Sequence, residues 1–141
     1  MHGGDERSVP AERRASWQLT GLIGTLSQAR GHARAFLEAQ VPAPAAHAMQ
    51  NALVVVVELV SNAMRHAPGP CVLELSRDGE LLRISVSDTS SSAPTPRAVD
   101  PSTDGGGFGW HLLHSLAERV EVNLHPGRGK TVTATLALRP E

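Results

Sequence analysis

The stretch that decides the fold is Ala52-Leu-Val-Val-Val-Val-Glu58-Leu-Val-Ser-Asn62-Ala-Met-Arg65-His66-Ala67. Its four consecutive valines favour a β-strand by propensity alone. The apolar pattern nevertheless runs with helical spacing from Ala45 to Met64, which is longer than a usual strand, and length arbitrates such cases. Prolines lie on both sides of the stretch and mark helix ends. We therefore predict a helix that ends near Ala67.

Two polar residues interrupt the apolar surface of this predicted helix. Glu58 and Asn62 are four residues apart, so their side chains share one face. A carboxylate one turn from a carboxamide is costly to bury unless both groups find partners. Either hydrogen bonds within the protein satisfy them, or both face a ligand.

Composition limits the classes of function. The chain has 141 residues, 40% of them hydrophobic, which is enough for one globular domain with a core. A net charge of −1 and only 3% aromatic residues argue against nucleic acid or an anionic membrane as the main partner. Cys71 is the single cysteine, which fits a reducing compartment, and we expect it to be a small buried hydrophobe.

Periodicity predicts the order of the elements. Residues 1–14 form a polar leader without the apolar core of a signal peptide, so we expect a cytoplasmic protein with its domain in residues 15–141. The predicted elements are an edge strand over 15–20, helices over 26–39 and 45–67, a hairpin from 72 to 88 around an Asp-Gly turn, a Ser/Pro-rich loop over 89–103, a helix from 110, and a hairpin from 120 to 138. The order β-α-α-β-β-loop-α-β-β predicts a two-layer α+β sandwich, with a mixed, mostly antiparallel sheet and the helices on one face.

Three features that could carry chemistry follow one another along the chain. They are the helix with Glu58 and Asn62, the strand that ends at Asp88, and the run Gly105-Gly-Gly-Phe108-Gly109 before a helix. Each has an ordinary explanation, because aspartate often ends a strand as a turn residue and glycines often form a hinge. Glycines at a helix N-terminus also let backbone N–H groups approach a phosphate.

Together these features resemble the histidine-kinase-like ATPases, also called the GHKL or Bergerat fold. The resemblance covers roughly residues 15–139 and is greatest to the short bacterial branch that includes anti-sigma-factor serine/threonine kinases. Glu58-Leu-Val-Ser-Asn62-Ala-Met-Arg65-His66-Ala67 resembles the family's N-box, and Arg83-Ile-Ser-Val-Ser-Asp88 resembles the strand entering its adenine-binding box. Gly105 to Leu113 resembles the second glycine box, and Gly129-Lys130-Thr131-Val132 resembles the closing strand.

The resemblance implies a role for each matched residue. Glu58 would be the general base, Asn62 would hold Mg²⁺, and Asp88 would accept a hydrogen bond from the amine of adenine. Thr131 would support Asp88. Backbone groups of the second glycine box would bind the phosphates of ATP, with the Ser/Pro-rich loop as a lid; this box contains Gly105, Gly107, Phe108 and Gly109.

The roles of two residues stay open, and two other residues depart from the family pattern. Arg65 and His66 could reach phosphate, but basic residues also complement the C-terminal dipole of a solvated helix. The family's adenine box commonly reads Asp-x-Gly-x-Gly, whereas Ser90 and Ser92 replace both glycines here. Glycine allows close backbone approach and positive φ, both of which serine restricts.

The resemblance implies an Mg-ATP-dependent serine/threonine kinase that phosphorylates a partner protein. The partner would be a sigma factor or an anti-sigma antagonist, and the resemblance allows a homodimer. The alternative from another class is a non-catalytic nucleotide-binding module that docks a regulatory protein. Transfer of labelled phosphate from ATP separates the two.

Overall fold

The structure of the protein, a computed structural model, describes residues 13–89 and 106–138, with side chains from residue 110 in the second range. Eight elements follow the predicted order. They are β1 (Arg14–Leu19), α1 (Thr25–Glu38), α2 (Ala46–His66), β2 (Cys71–Asp78), β3 (Leu81–Asp88), α3 (Gly106–Leu116), β4 (Arg119–His125) and β5 (Gly129–Ala137). Residues 1–12 of the predicted leader and residues 90–103 of the predicted lid lie outside the described ranges.

The five strands form one sheet in the order β1-β2-β3-β5-β4. Each of the four strand pairings among the described residues is antiparallel, so the predicted mixed character of the sheet is wrong, while its antiparallel majority is confirmed. The β2–β3 hairpin turns at Gly79, whose φ of 64° is the conformation that the Asp-Gly pair predicts. β1 lies at one edge, as predicted.

The valine-rich stretch forms α2, as its length predicts. Nine residues of this helix are buried, including Val55, Val56 and Val60, because α2 packs against the sheet and against both other helices. A valine costs less than about 0.7 kcal/mol in helix propensity. Its complete burial contributes about 1.5–3 kcal/mol, so packing outweighs the strand preference of the side chain.

The two faces of the sheet differ sharply in chemistry. Leu82, Ile84 and Val86 of β3 join the core, and they alternate with the polar residues Arg83, Ser85 and Ser87. On this second face Ser85 and Thr133 share a hydrogen bond of 2.9 Å across β3 and β5. The helices therefore cover one face of the sheet, and the domain has the predicted two layers. No helix within residues 13–89 and 106–138 is both long and apolar enough to cross a bilayer.

Candidate functional site

A stripe of three polar residues runs along α2 towards the sheet. Glu58, Asn62 and His66 follow one another at intervals of four residues, so they occupy one side of the helix. Asn62 is only 7% exposed, yet its carboxamide makes no hydrogen bond to any residue in the described ranges. A nearly buried amide without a protein partner is free to bind a ligand.

Glu58 lies one turn before Asn62 and faces the groove between α1 and α2. It lines a pocket of about 190 Å³, to which α1 contributes Arg30. The side chain of Glu58 is half-buried and forms no ion pair in the described part of the chain. Glu58 and Asn62 therefore lie on neighbouring turns, as predicted, but Asn62 does not line this pocket.

The strand end at Asp88 contains a buried ion pair. Lys130 of β5 is opposite Asp88 in the strand register, and its Nζ donates to Oδ2 of Asp88 at 2.8 Å. The side chains of Lys130 and Asp88 are 0% and 1% exposed. Charge-assisted hydrogen bonds of this kind are among the strongest in proteins. Asp88 is thus where the sequence predicts it, but a lysine holds its carboxylate.

His66 ends the polar stripe beside this ion pair. Its Nε2 is buried and has no hydrogen-bond partner among the described residues. Burial lowers the pKa of His66, the positive charges of Lys130 and Arg65 lower this pKa further, and Asp88 opposes them. The imidazole is therefore neutral at pH 7 and can accept or donate one hydrogen bond at Nε2. Arg65 is exposed, so the two basic residues at the end of α2 have different surroundings.

Cys71 lies near the same carboxylate. It begins β2 and is 4% exposed, so the prediction of a small buried residue is confirmed. Burial raises the pKa of its thiol, and the negative charge of Asp88 raises this pKa further. The thiol therefore stays protonated and behaves as part of the core.

Thr131 does not support Asp88, so this part of the predicted site is wrong. Successive residues of a strand point to opposite faces, and Thr131 pairs with Ser87, not with Asp88. Its hydroxyl is 2.8 Å from Oγ of Ser87 and 2.9 Å from Nε2 of His125. The neighbouring residue, Lys130, reaches Asp88 instead.

The second glycine box lies mostly within a helix. α3 begins at Gly106, so Gly107, Phe108 and Gly109 belong to its first turn and do not precede it. The backbone N–H groups of a first helical turn have no partners within the helix and suit an anion. Gly105, Ser90 and Ser92 lie outside the described residues, and their predicted roles stay predictions.

The residues present fit a magnesium ion that is held largely by phosphate. Mg²⁺ prefers oxygen ligands and commonly binds one or two protein groups together with water and substrate phosphates. The unpartnered carboxamide oxygen of Asn62 is such a group. Within the described residues there is no cluster of three or more histidine, cysteine or acidic side chains that could hold a metal by itself.

A comparison with protein families identifies the domain. The family model described as the histidine kinase-like ATPase domain matches residues 20–136, which include both ends of the polar stripe and the Asp88–Lys130 pair. The chain belongs to the histidine kinase-like ATPase domain family. The comparison with curated proteins finds no match.

Two solved histidine kinase domains are similar to this histidine kinase-like ATPase domain. One is from the blue-light-activated histidine kinase EL346 of Erythrobacter litoralis, with 22% identity, a TM-score of 0.47 and coverage of 64% of this chain and 45% of that chain. The chain thus spans less than half of that structure. The other is from the E. coli osmosensor EnvZ, with 11% identity, a TM-score of 0.47 and coverage of 96% and 94%.

Lys130 is the residue beside Asp88 that the sequence analysis missed. A signal for it exists, because it is the only lysine in a sequence whose other permanently cationic side chains are arginines. Lysine is almost never fully buried unless it is paired. The alternation of β5 with Val132, Ala134 and Leu136 also places residue 130 on the core face.

Proposed function

We propose that this histidine kinase-like ATPase domain binds Mg-ATP and transfers its γ-phosphoryl group to a serine or threonine of a partner protein, in the manner of an anti-sigma-factor kinase. The observation that carries the proposal is the unpartnered, nearly buried Asn62 one turn after Glu58, within a chain matched by the family over residues 20–136. The partner would be a sigma factor or an anti-sigma antagonist in the cytoplasm, and the protein would regulate transcription through it, alone or as a homodimer.

Each residue of the site has a task in this proposal. The carboxamide oxygen of Asn62 binds Mg²⁺, which would neutralise charge on the phosphates when bound. Glu58 accepts the proton of the attacking hydroxyl. Asp88, which pairs with Lys130, would accept a hydrogen bond from the amine of adenine. N–H groups at the start of α3 donate to phosphate oxygens.

The kinase proposal is tested by phosphate transfer. Purified protein is incubated with γ-labelled ATP, Mg²⁺ and an antagonist-type protein that offers an acceptor serine. We expect label on the partner, and we expect Glu58→Gln to reduce the transfer rate by about 10²–10⁴-fold while ATP still binds. Glu38→Gln is the matched control, because Glu38 is an exposed residue of α1 that pairs with Arg34 on the same helix. Transfer at the normal rate by the Glu58 variant would show that Glu58 is not the base.

A second candidate function is a nucleotide-binding module without catalysis. It is favoured by the pocket of Glu58, which opens between α1 and α2 and which Asn62 does not line. In this case nucleotide would be retained, no label would reach any partner, and Glu58→Gln would change neither observation. The nucleotide would then act by altering the surface on which a regulatory protein docks.

A further inference from the structure

Strand β4 forms one edge of the sheet and leaves two apolar side chains uncovered. Val122 and Leu124 lie on the side of the sheet that carries the helices, because they are opposite Val132 and Lys130, which belong to the buried face of β5. They are nevertheless 37% and 49% exposed. Apolar surface of this kind gains free energy when an assembly covers it.

The opposite edge of the sheet does not share this feature. On β1, the indole of Trp17 stacks on His32 of α1 with 5.2 Å between the ring centroids, and it meets Phe36 of the same helix edge-on at 6.3 Å. Leu19, at the end of β1, is buried. These large apolar side chains of β1 are therefore packed within the chain, whereas Val122 and Leu124 of β4 are not.

The backbone of β4 is suited to pairing with a further strand. Its seven residues, Arg119–His125, pair one by one with the residues of β5, without a bulge. β4 contains neither proline nor lysine, two residues that commonly prevent an edge strand from adding a neighbour. Among the described residues no strand lies on its other side. The N–H and C=O groups along that side can therefore bind an added strand.

A second copy of β4 is a possible neighbour, and its side chains limit the register. Two antiparallel copies keep their apolar residues on one face only if the two-fold axis passes through a residue. Three such registers pair most of the strand, with the axis at Glu121, Val122 or Asn123. An axis at Glu121 places that carboxylate opposite its own copy, and an axis at Val122 places Arg119 opposite His125, so both bring like side chains together.

The register with its axis at Asn123 is complementary on both faces. It places Glu121 opposite His125 of the second copy, and it places Val122 opposite Leu124 of the second copy. The first pair joins a carboxylate to a ring that can donate an N–H, and the second joins the two uncovered apolar side chains. The sequence of β4 therefore complements itself.

The polar groups of this register are available to a partner. Glu121 pairs with Arg119 at 3.6 Å, but both side chains are at least half exposed, and such surface pairs contribute little. Nε2 of His125 is 2.9 Å from Oγ1 of Thr131, which leaves Nδ1 for the carboxylate of a second copy.

We propose that two copies of this chain pair through their β4 edges, antiparallel and with Asn123 of each copy opposite Asn123 of the other. Their two five-stranded sheets then form one continuous sheet, with both helix layers on the same side. Only residues 121–125 of each copy face each other, so the interface is small, and we expect a dissociation constant on the order of 10–100 µM. The pairing does not depend on nucleotide.

Sedimentation equilibrium of the chain without nucleotide, from about 5 to 500 µM, tests the proposal. We expect a monomer at the lowest concentration and a dimer at the highest. Val122→Lys places a charge against Leu124 of the second copy and should weaken the dimer by about tenfold or more. Leu22→Lys is the matched control, because Leu22 is a 70% exposed apolar residue between β1 and α1, and this variant should dimerise as the wild-type chain does.

A cysteine at the axis tests the register and does not depend on how Val122→Lys folds. Asn123→Cys should form a disulfide-linked dimer with oxidised glutathione, because opposite residues lie about 5 Å apart between their Cα atoms. Glu121→Cys should not, because its copy lies more than about 10 Å away in this register. Ser16→Cys, at an exposed position of β1, reports on the other edge. The buried Cys71 does not compete.

Three results would overturn the proposal. They are a wild-type chain that stays monomeric up to the highest concentration, a dimer that Val122→Lys leaves unchanged, and cross-linking of Glu121→Cys or Ser16→Cys in preference to Asn123→Cys. Each would leave the proposed nucleotide binding standing, because none of these measurements contains nucleotide.

Discussion

At the scale of single residues, the only lysine of the chain has the least expected surroundings. Most lysines keep their ammonium group in water, but Lys130 is 0% exposed and is paired with Asp88. Removal of two charges from water costs several kcal/mol for each ion, and the attraction between them roughly offsets that cost. Such a pair adds little net stability, but the loss of one partner leaves an uncompensated buried charge.

This reasoning predicts the stability of two variants. Lys130→Met should lower the free energy of unfolding by about 3–5 kcal/mol, because the buried Asp88 carboxylate would lose the ammonium group that pairs with it. The double variant Lys130→Met/Asp88→Asn should recover most of that loss, since neither charge remains. Urea unfolding of the single and double variants measures both values. Equal losses in the two would show that packing, and not charge, accounts for the effect.

His66 predicts a pH dependence of stability. Burial and the charges of Lys130 and Arg65 place its folded-state pKa below its ordinary value of 6.5, with Asp88 in opposition. The unfolded chain therefore binds the proton more readily than the folded one. The stabilising contribution of His66 to the free energy of unfolding is fully present above pH 6.5. It falls as the pH is lowered through 6.5 towards the folded-state pKa.

The pH dependence is measured as the free energy of unfolding between about pH 5 and pH 8. His66→Gln should flatten the curve, whereas His47→Gln, at an exposed position near the start of α2, should leave it unchanged. The same slope in the wild-type chain and the His66 variant would show that His66 does not titrate differently in the folded state.

At the scale of elements, the pairing of β3 with β5 depends on one glycine. Gly129 has a φ of 104°, and a Cβ there would collide with the backbone oxygen of Asp88. Gly127, in the turn of the same hairpin, has a φ of 78°, but a Cβ added to it would meet no atom within 4 Å. The two glycines therefore share a conformation that strains other residues, and of the two only Gly129 has a close backbone neighbour.

Alanine at the two positions separates conformational strain from steric contact. Gly127→Ala should cost about 1–2 kcal/mol, the usual cost of left-handed backbone for a residue with a Cβ. Gly129→Ala should cost clearly more, because β3 and β5 must also move apart. Thermal or urea unfolding measures the difference. Equal costs would mean that the two strands can separate freely at this point.

The sequence predicted α2 and both hairpins because their signals are local. The length of the apolar pattern identified α2 despite its valines, and the Asp-Gly pair identified the β2–β3 turn. The partner of Asp88 depended on strand register, which no local signal gives. A shift of one residue along a strand moves each side chain to the opposite face of the sheet. The sequence analysis expected Thr131 to support Asp88, whereas the adjacent residue, Lys130, is the one opposite Asp88.

At the scale of the whole molecule, α2 belongs to the core and to the site at once. One side of the helix packs on the sheet and on both other helices, while the stripe of Glu58, Asn62 and His66 leads to the β3–β5 pair. A ligand that contacts α2 and the end of β3 would therefore join elements from both layers. Such a ligand should oppose unfolding of the entire domain and not only of a loop.

Mg-ATP should consequently raise the melting temperature in proportion to the logarithm of its concentration. At 100 times the dissociation constant, binding to the folded state alone adds about 2.7 kcal/mol. For a domain of this size that corresponds to a rise of roughly 5–10 °C. Asn62→Ala should remove most of the rise that depends on Mg²⁺, because the carboxamide is the proposed ligand of the ion, whereas Ser61→Ala, the adjacent residue on α2, should keep it. A melting temperature that stays constant in Mg-ATP for folded wild-type protein would contradict nucleotide binding between α2 and the sheet.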